Sequence, residues 1–373
     1  MLALTCAATA ACAGVAVSGA SAATSASAGL AHAQQVVKQY SAKTTTYPTP
    51  TKPITHIAKA KGKTVMYIPL VPIAAFSIIG SSMKTALAHA GVKTTICNGE
   101  ATPTSIENCI NQAVSAHDAG IVTDSIPYQL AADAFQSASK AGVNVLITDQ
   151  EGVAGTAGKH LAYLPGDINE PTLMADWIIA DSKGKAHVVV GEEADSPSAI
   201  SYITKGVLPE FKKYCPGCTV TTVDIPLNYQ DIPSAVSTAL NDNPSATYYD
   251  GEFEDQMQGA LGGMQQAGKA DSVKASFSTA TLAGLQNMKS GNTVYAEMGV
   301  DIVYQGWADA DEVLRMLVGQ KVLTEVNDQP ERLFTRSDIG SLSLISQAQA
   351  SGQWFGTPNG FDAGFEKAWG LKK

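Results

Sequence analysis

One unit recurs down most of this chain: a short apolar run ending in small or polar residues, an amphipathic stretch, then a Gly-Val or Gly-Lys turn. The clearest copy runs from Gly120 to Thr148. Gly120-Ile-Val-Thr reads as a buried strand, Tyr128 to Lys140 as a helix with Ala and Phe on one face, and Val143-Asn-Val-Leu-Ile-Thr as the next strand. Strands alternating with helices of about 12–15 residues imply parallel βαβ units with both sheet faces covered. Ligands of such sheets bind at the carboxyl ends of the strands, so functional residues are expected just after each strand.

With 373 residues the chain exceeds one typical domain, which points to two lobes. Hydrophobic residues make up 45% and charged ones 16%, the composition of a well-buried α/β protein and not of a disordered one. A net charge of −9 argues against nucleic acid and against an anionic membrane surface as partner.

The first charged side chain is Lys38. The uncharged, Ala-rich run Leu2 to Gly19, followed by Ala20-Ser21-Ala22-Ala23, reads as a signal peptide over residues 1–23 and hence export to the periplasm or cell surface. Neither Cys6 nor Cys12 follows a lipoprotein-type sequence, so lipid anchoring stays open. Residues 24–62, rich in Ser, Thr, Ala and Pro, read as a tether. The four remaining cysteines form an even set in an oxidising compartment. The four are expected to be bridged: Cys215-Pro-Gly-Cys218 across its tight turn, with Cys97 and Cys109, which flank a loop, as the candidates for the second pair, a pairing the sequence leaves open. Zinc or redox roles are the alternatives, but only one C-x-x-C exists and it precedes a strand.

Strands are expected at Thr64 to Leu70, Lys93 to Cys97, Gly120 to Thr123, Val143 to Thr148 and His160 to Leu164. After helix Thr172 to Ser182 a second series begins at His187-Val-Val-Val-Gly and continues at Thr219 to Ile225, Ala246 to Tyr249, Val273 to Phe277 and Thr293 to Met298. Helix Tyr304 to Leu317 and the tail from Leu323 are too short for a third domain and are expected to cross back between the lobes. Phe361 to Trp369 reads as a closing helix packed by its aromatics.

No P-loop, nucleophile elbow or H-E-x-x-H spacing occurs, and the six histidines are scattered. No cofactor or metal is expected. Glu252, Glu254 and Asp255 cluster, but acids at a helix start complement its dipole more often than they catalyse.

The order of these elements resembles the type I periplasmic solute-binding proteins of ABC transporters, in the ribose-binding-protein branch. The matching segments are Gly91-Val-Lys-Thr-Thr, Ile106 to Val114 leading into Gly120-Ile-Val-Thr-Asp124, Ala138 to Asp149, Gly259 to Gly268 and Asp301-Ile-Val-Tyr-Gln-Gly306. The resemblance implies two Rossmann-like α/β lobes with parallel sheets joined by a three-crossover hinge. It places residues 63–164 and 301–322 in the first lobe and 165–300 and 323–373 in the second.

The resemblance also implies a ligand set. Phe76 and Tyr229 resemble stacking aromatics, and Asp149 matches an acid that ends the fourth strand. Gln150 and Ser201 stand where ribose binders carry Arg, Ser278 where they carry Asp, and Glu252 or Phe253 near an Asn. Asp124 and Asp301, inside matching segments, complete the set. Loss of three charged contacts argues against ribose itself and for a less hydroxylated or partly aromatic solute. Each residue has a plainer reading: Phe76 as helix-face core, Tyr229 as surface, Asp149 as a helix cap. The implied function is a monomeric, non-enzymatic receptor that passes a small polar or sugar-like solute to an ABC permease. The alternatives are a sensor of the same fold feeding a membrane kinase, or a secreted enzyme using Asp149 with the Glu252 to Asp255 acids.

Overall fold

The computed structural model describes residues 18–167, 169–291, 293–323, 329–356 and 360–371, with side chains from residue 25 onward. The chain opens with helix α1 (Ser18–Tyr40). Then come β1 (Thr64–Pro69), α2 (Ala74–His89), β2 (Lys93–Ile96), α3 (Pro103–Ser115), β3 (Gly120–Asp124), α4 (Ala132–Lys140), β4 (Asn144–Thr148) and β5 (Leu161–Leu164). These strands form one parallel sheet in the order β2-β1-β3-β4-β5. The buried residues of the inner strands β1, β3 and β4 divide between two faces, because successive side chains in a strand point to opposite sides. Val65 and Tyr67 pack with Ile79 and Met83 of α2, while Met66 and Ile68 pack with Ile106 of α3 and Phe135 of α4.

The second series runs α5 (Asn169–Asp181), β6 (His187–Glu192), α6 (Pro197–Ser201), a π-helical turn (Tyr202–Val207), α7 (Leu208–Tyr214), β7 (Thr219–Asp224), α8 (Ile232–Asp242), β8 (Tyr248–Gly251), α9 (Met257–Gln266), β9 (Lys274–Ser278), α10 (Leu282–Lys289) and β10 (Val294–Val300). Helix α11 (Ile302–Val318), β11 (Glu331–Thr335), α12 (Ser346–Ala350) and α13 (Asp362–Ala368) complete the chain. The second sheet has the order β11-β10-β9-β8-β6-β7, parallel except for β11. The two-lobe α/β expectation therefore holds. The chain passes between lobes three times: from β5 to α5, from β10 to α11, and from α11 to β11.

The first 17 residues of the expected signal peptide lie outside the described residues. The expected tether is different from its composition-based reading: it is packed. Ala33, Val36, Val37 and Tyr40 of α1 recur at helical spacing and join Trp177 of α5 and Phe211 of α7 in one cluster. His32, placed by the sequence reading in a signal or tether, stacks on Tyr214 with ring centroids 3.8 Å apart. Farther on, the Arg315 guanidinium donates to the Lys52 carbonyl at 2.7 Å, and the Ile54 N–H donates to the Ala368 carbonyl at 2.8 Å.

The tail also divides differently. β11 extends the second sheet, but Phe361, Phe365 and Trp369 enter the first lobe's core against Tyr304 and Trp307. Both cysteine pairs are bonded, Cys97 to Cys109 with Cα atoms 5.7 Å apart and Cys215 to Cys218 at 5.3 Å. Among the described residues no helix is long and apolar enough to cross a membrane.

Candidate ligand-binding cleft

Between the lobes lies a cavity of about 300 Å³. Each sheet reverses its strand order once, between β1 and β3 in the first and between β6 and β8 in the second. At such switch points neighbouring loops diverge and leave a crevice at the strands' carboxyl ends. Leu70, Ser125 and Glu193, directly after β1, β3 and β6, line the cavity, as does Phe253, two residues after β8. Ser125, Asp149 and Thr279 hold left-handed backbone, with φ of 56°, 55° and 67°, each immediately after a strand. Non-glycine residues adopt that region at a cost, and such strain concentrates at ligand sites. All three line the cavity.

Five of the ten expected ligand residues are brought together there: Phe76, Asp149, Gln150, Tyr229 and Phe253. The first three come from the first lobe and the last two from the second. Asp149 accepts a hydrogen bond from Gln305 Nε2 at 2.7 Å, and the Tyr229 hydroxyl donates to Asp255 Oδ2 at 2.6 Å.

The other five stand behind the wall. Asp124 is fully buried and accepts from the Tyr67 hydroxyl at 2.5 Å. Ser201 donates to Glu151 Oε1 at 3.2 Å. Glu252 is buried and accepts from the Glu193 N–H at 2.8 Å. Ser278 is buried at the end of β9, one residue short of the lining Thr279. Asp301 caps α11 by accepting from the N–H groups of Val303 and Tyr304 at 3.1 and 3.2 Å.

The sequence reading missed several lining side chains. Glu193 and Thr279 directly follow strands and were within reach of the strand-end rule. Asp167 and Glu170 sit on the first crossover, Gln305 opens α11 after the second, and Tyr202 lies in the π-helical turn. None of these four carries a local signal. Glu254 and Asp255, read as a charged helix start, do precede α9, yet they also face the cavity.

Burial dominates the site's acid–base properties. It pushes Glu170 up to about 8, although the Thr279 N–H and hydroxyl donate to it at 2.5 and 3.2 Å. Burial, then the charge of Asp255, raises Glu193 to about 7, and burial raises Glu254 to about 7. Asp124 is held well above the ordinary carboxyl range by burial, then by the charges of Asp149 and Asp309. Asp149 is raised by burial, and hydrogen bonds from Asp124 and Gln305 oppose the rise. A proton retained on Asp124 therefore supports the anionic form of Asp149.

Away from the cleft, His32, Asp176 and Glu210 bring three possible metal-ligand atoms within 4.8 Å of one another. His32 Nε2 lies 3.2 Å from Glu210 and 3.8 Å from Asp176, a contact that joins α1 to α5 and α7.

Residues 68–321 match the family described as periplasmic binding protein domain. No curated protein matches the chain by sequence. Among solved structures, the solute binding protein of a 5-methylthioribose transporter from Thermotoga lettingae superposes with a TM-score of 0.66. It is 16% identical, over 85% of this chain and 99% of that one. The myo-inositol binding protein of Caulobacter gives 0.64 and 17%, over 80% and 100%. An ABC transporter solute binding protein from Burkholderia graminis, in complex with D-arabinose, gives 0.62 and 19%, over 76% and 99%. At such identities the structural likeness concerns the fold. The family match spans well over half of the sequence, and the chain belongs to the periplasmic binding protein domain family.

Proposed function

We propose that this protein is an exported, monomeric receptor that closes on one small polar or sugar-like solute and presents it to an ABC permease, without chemical turnover. The observation that carries the reading is the cavity itself, walled by strand-end loops of both lobes. A solute touching both walls binds the closed arrangement better than the open one, so binding shifts the population toward closure. Phe76 and Tyr229 offer aromatic faces to apolar ring surfaces, while Asp149 and Gln150 offer polar atoms to hydroxyls. The resemblance to proteins named for 5-methylthioribose, myo-inositol and D-arabinose supports a solute of that size. Export rests on the uncharged Ala-rich run before Lys38.

The test is a thermal-shift screen of the purified protein against sugars, polyols, nucleosides, amines and amino acids, followed by calorimetry on each hit. A ligand that prefers the folded state must raise the melting temperature by mass action. One site per chain and recovery of the solute unchanged are the expected results. Conversion of the solute would make the protein an enzyme and overturn the reading.

A further inference from the structure

The cleft wall carries six acidic side chains: Asp149, Asp167, Glu170, Glu193, Glu254 and Asp255. No Lys, Arg or His lines it among the described residues. The neighbouring Lys205 is engaged outside the cavity, 3.2 Å from Glu151. A neutral polyol would leave these charges to be cancelled by protons alone, and an anionic solute would meet repulsion from every side.

We propose that the solute is an organic cation, a small hydroxylated or short-chain molecule bearing at least one protonated amine. The inference rests on the cleft being the solute site, as proposed above, and concerns the charge of what enters it.

Two features besides the acid count point the same way. Ionised carboxylates only accept hydrogen bonds and an ammonium only donates them, so the two match without a mediator. Phe76, Tyr202, Tyr229 and Phe253 also line the cavity, and aromatic faces attract cations as well as apolar rings. The acids fall into two groups. Asp149, Asp167 and Glu170 lie near the first crossover, where their charges add to burial in raising the Tyr202 hydroxyl. Glu193, Glu254 and Asp255 follow β6 and β8 in the second lobe. A charged amine at about 4 Å from one carboxylate gains roughly fourfold more in a partly buried site than in bulk water.

The experiment measures calorimetric affinities of the full chain for matched pairs differing only in charge. The pairs are glucosamine with glucose, aminodeoxysorbitol with sorbitol, and putrescine with butanediol. In at least one pair the amine should bind about tenfold or more tighter than its neutral partner, and added salt should narrow the gap. Glu170→Gln and Glu193→Gln, read separately so that a folding defect in one leaves the other informative, should each narrow it too. Binding of neutral or anionic solutes with no preference for amines would overturn this inference while leaving the receptor function intact. Binding of no compound, charged or neutral, would overturn the receptor reading and this one with it.

Discussion

Glu151 reaches across the cleft from the loop after β4. Its N–H donates to Ser198 Oγ at 2.9 Å, and its carboxylate takes Ser201 Oγ and Lys205 Nζ, each at 3.2 Å. The side chain is 45% exposed, so it contributes little to either core. Its contacts form only when the lobes meet. Removing them should therefore cost closure and not folding. An exposed ion pair is worth about 0.2–1 kcal/mol, and solvent screening at this exposed site cuts the charge-assisted hydrogen bond from Ser201 to about 0.5–1.5, so Glu151→Ala should weaken solute binding by roughly three- to sixtyfold. The expected signature is a faster dissociation rate with an unchanged ligand-free melting temperature. A lower melting temperature at unchanged affinity would mean that Glu151 is structural.

At this scale the sequence was half legible. The family resemblance reached Phe76, Asp149, Gln150, Tyr229 and Phe253, but it missed by small steps elsewhere: Ser278 for Thr279, Ser201 for Ser198. The first of these near misses has a backbone cause, whereas Ser198 and Ser201 differ only in their position around α6. Where a strand or helix ends, a single residue's change of backbone region decides whether a side chain faces the core or the cleft, as left-handed Thr279 shows beside buried Ser278.

Among the elements, α1 is the one whose role differs most from expectation. Its alanine-rich sequence looks like low-complexity chain, yet Ala is the best helix former, and four residues at helical spacing suffice to dock it. Gly29 lies against the Tyr214 backbone, where a Cβ would run into the carbonyl oxygen. Backbone cannot give way as a flexible side chain can, so Gly29→Val should cost about 1–3 kcal/mol of docking. Amide exchange along residues 25–40 should then accelerate by roughly fivefold or more, with the sheets of both lobes still protected. Unchanged protection of α1 would show that Gly29 is not at a close contact in solution. The parallel strands, by contrast, were legible to within about two residues: the inner ones because a fully buried strand is apolar and loops break it, the exposed edge strands β2 and β7 because their β-branched residues favour extended chain. β11 escaped notice: Glu331-Arg-Leu-Phe-Thr carries two charges and reads as loop, yet it pairs antiparallel with β10. Arg332 spends its donors on the Ser41 and Trp354 carbonyls, partners no local pattern reveals.

For the whole molecule the decisive quantity is the imbalance of buried charge. Among the described residues thirteen acidic side chains are buried, against two arginines, Arg315 and Arg332. Arg315 bonds Asp311 at 2.8 Å and lies 3.7 Å from Glu312, yet burial and the neighbouring Asp311 still push Glu312 up to about 9. Burial likewise holds Asp176, Asp250 and Asp301 near 7, together with Glu193 and Glu254, and Glu170 near 8. In the unfolded chain the same groups lose their protons near pH 4. Between about pH 4.5 and 8 the native state therefore holds more protons than the unfolded one, and stability falls as pH rises through that window. Each proton retained across one pH unit is worth about 1.4 kcal/mol, and each kcal/mol moves the melting temperature by about 2–4 °C or less in a chain of this size. The ligand-free protein should accordingly melt at least about 3 °C higher at pH 6 than at pH 8, in matched ionic strength. The measurement is calorimetric melting across that range. A melting temperature that is flat, or that climbs toward pH 8, would mean that water or unseen cations compensate the buried acids and that the raised carboxyls do not govern stability.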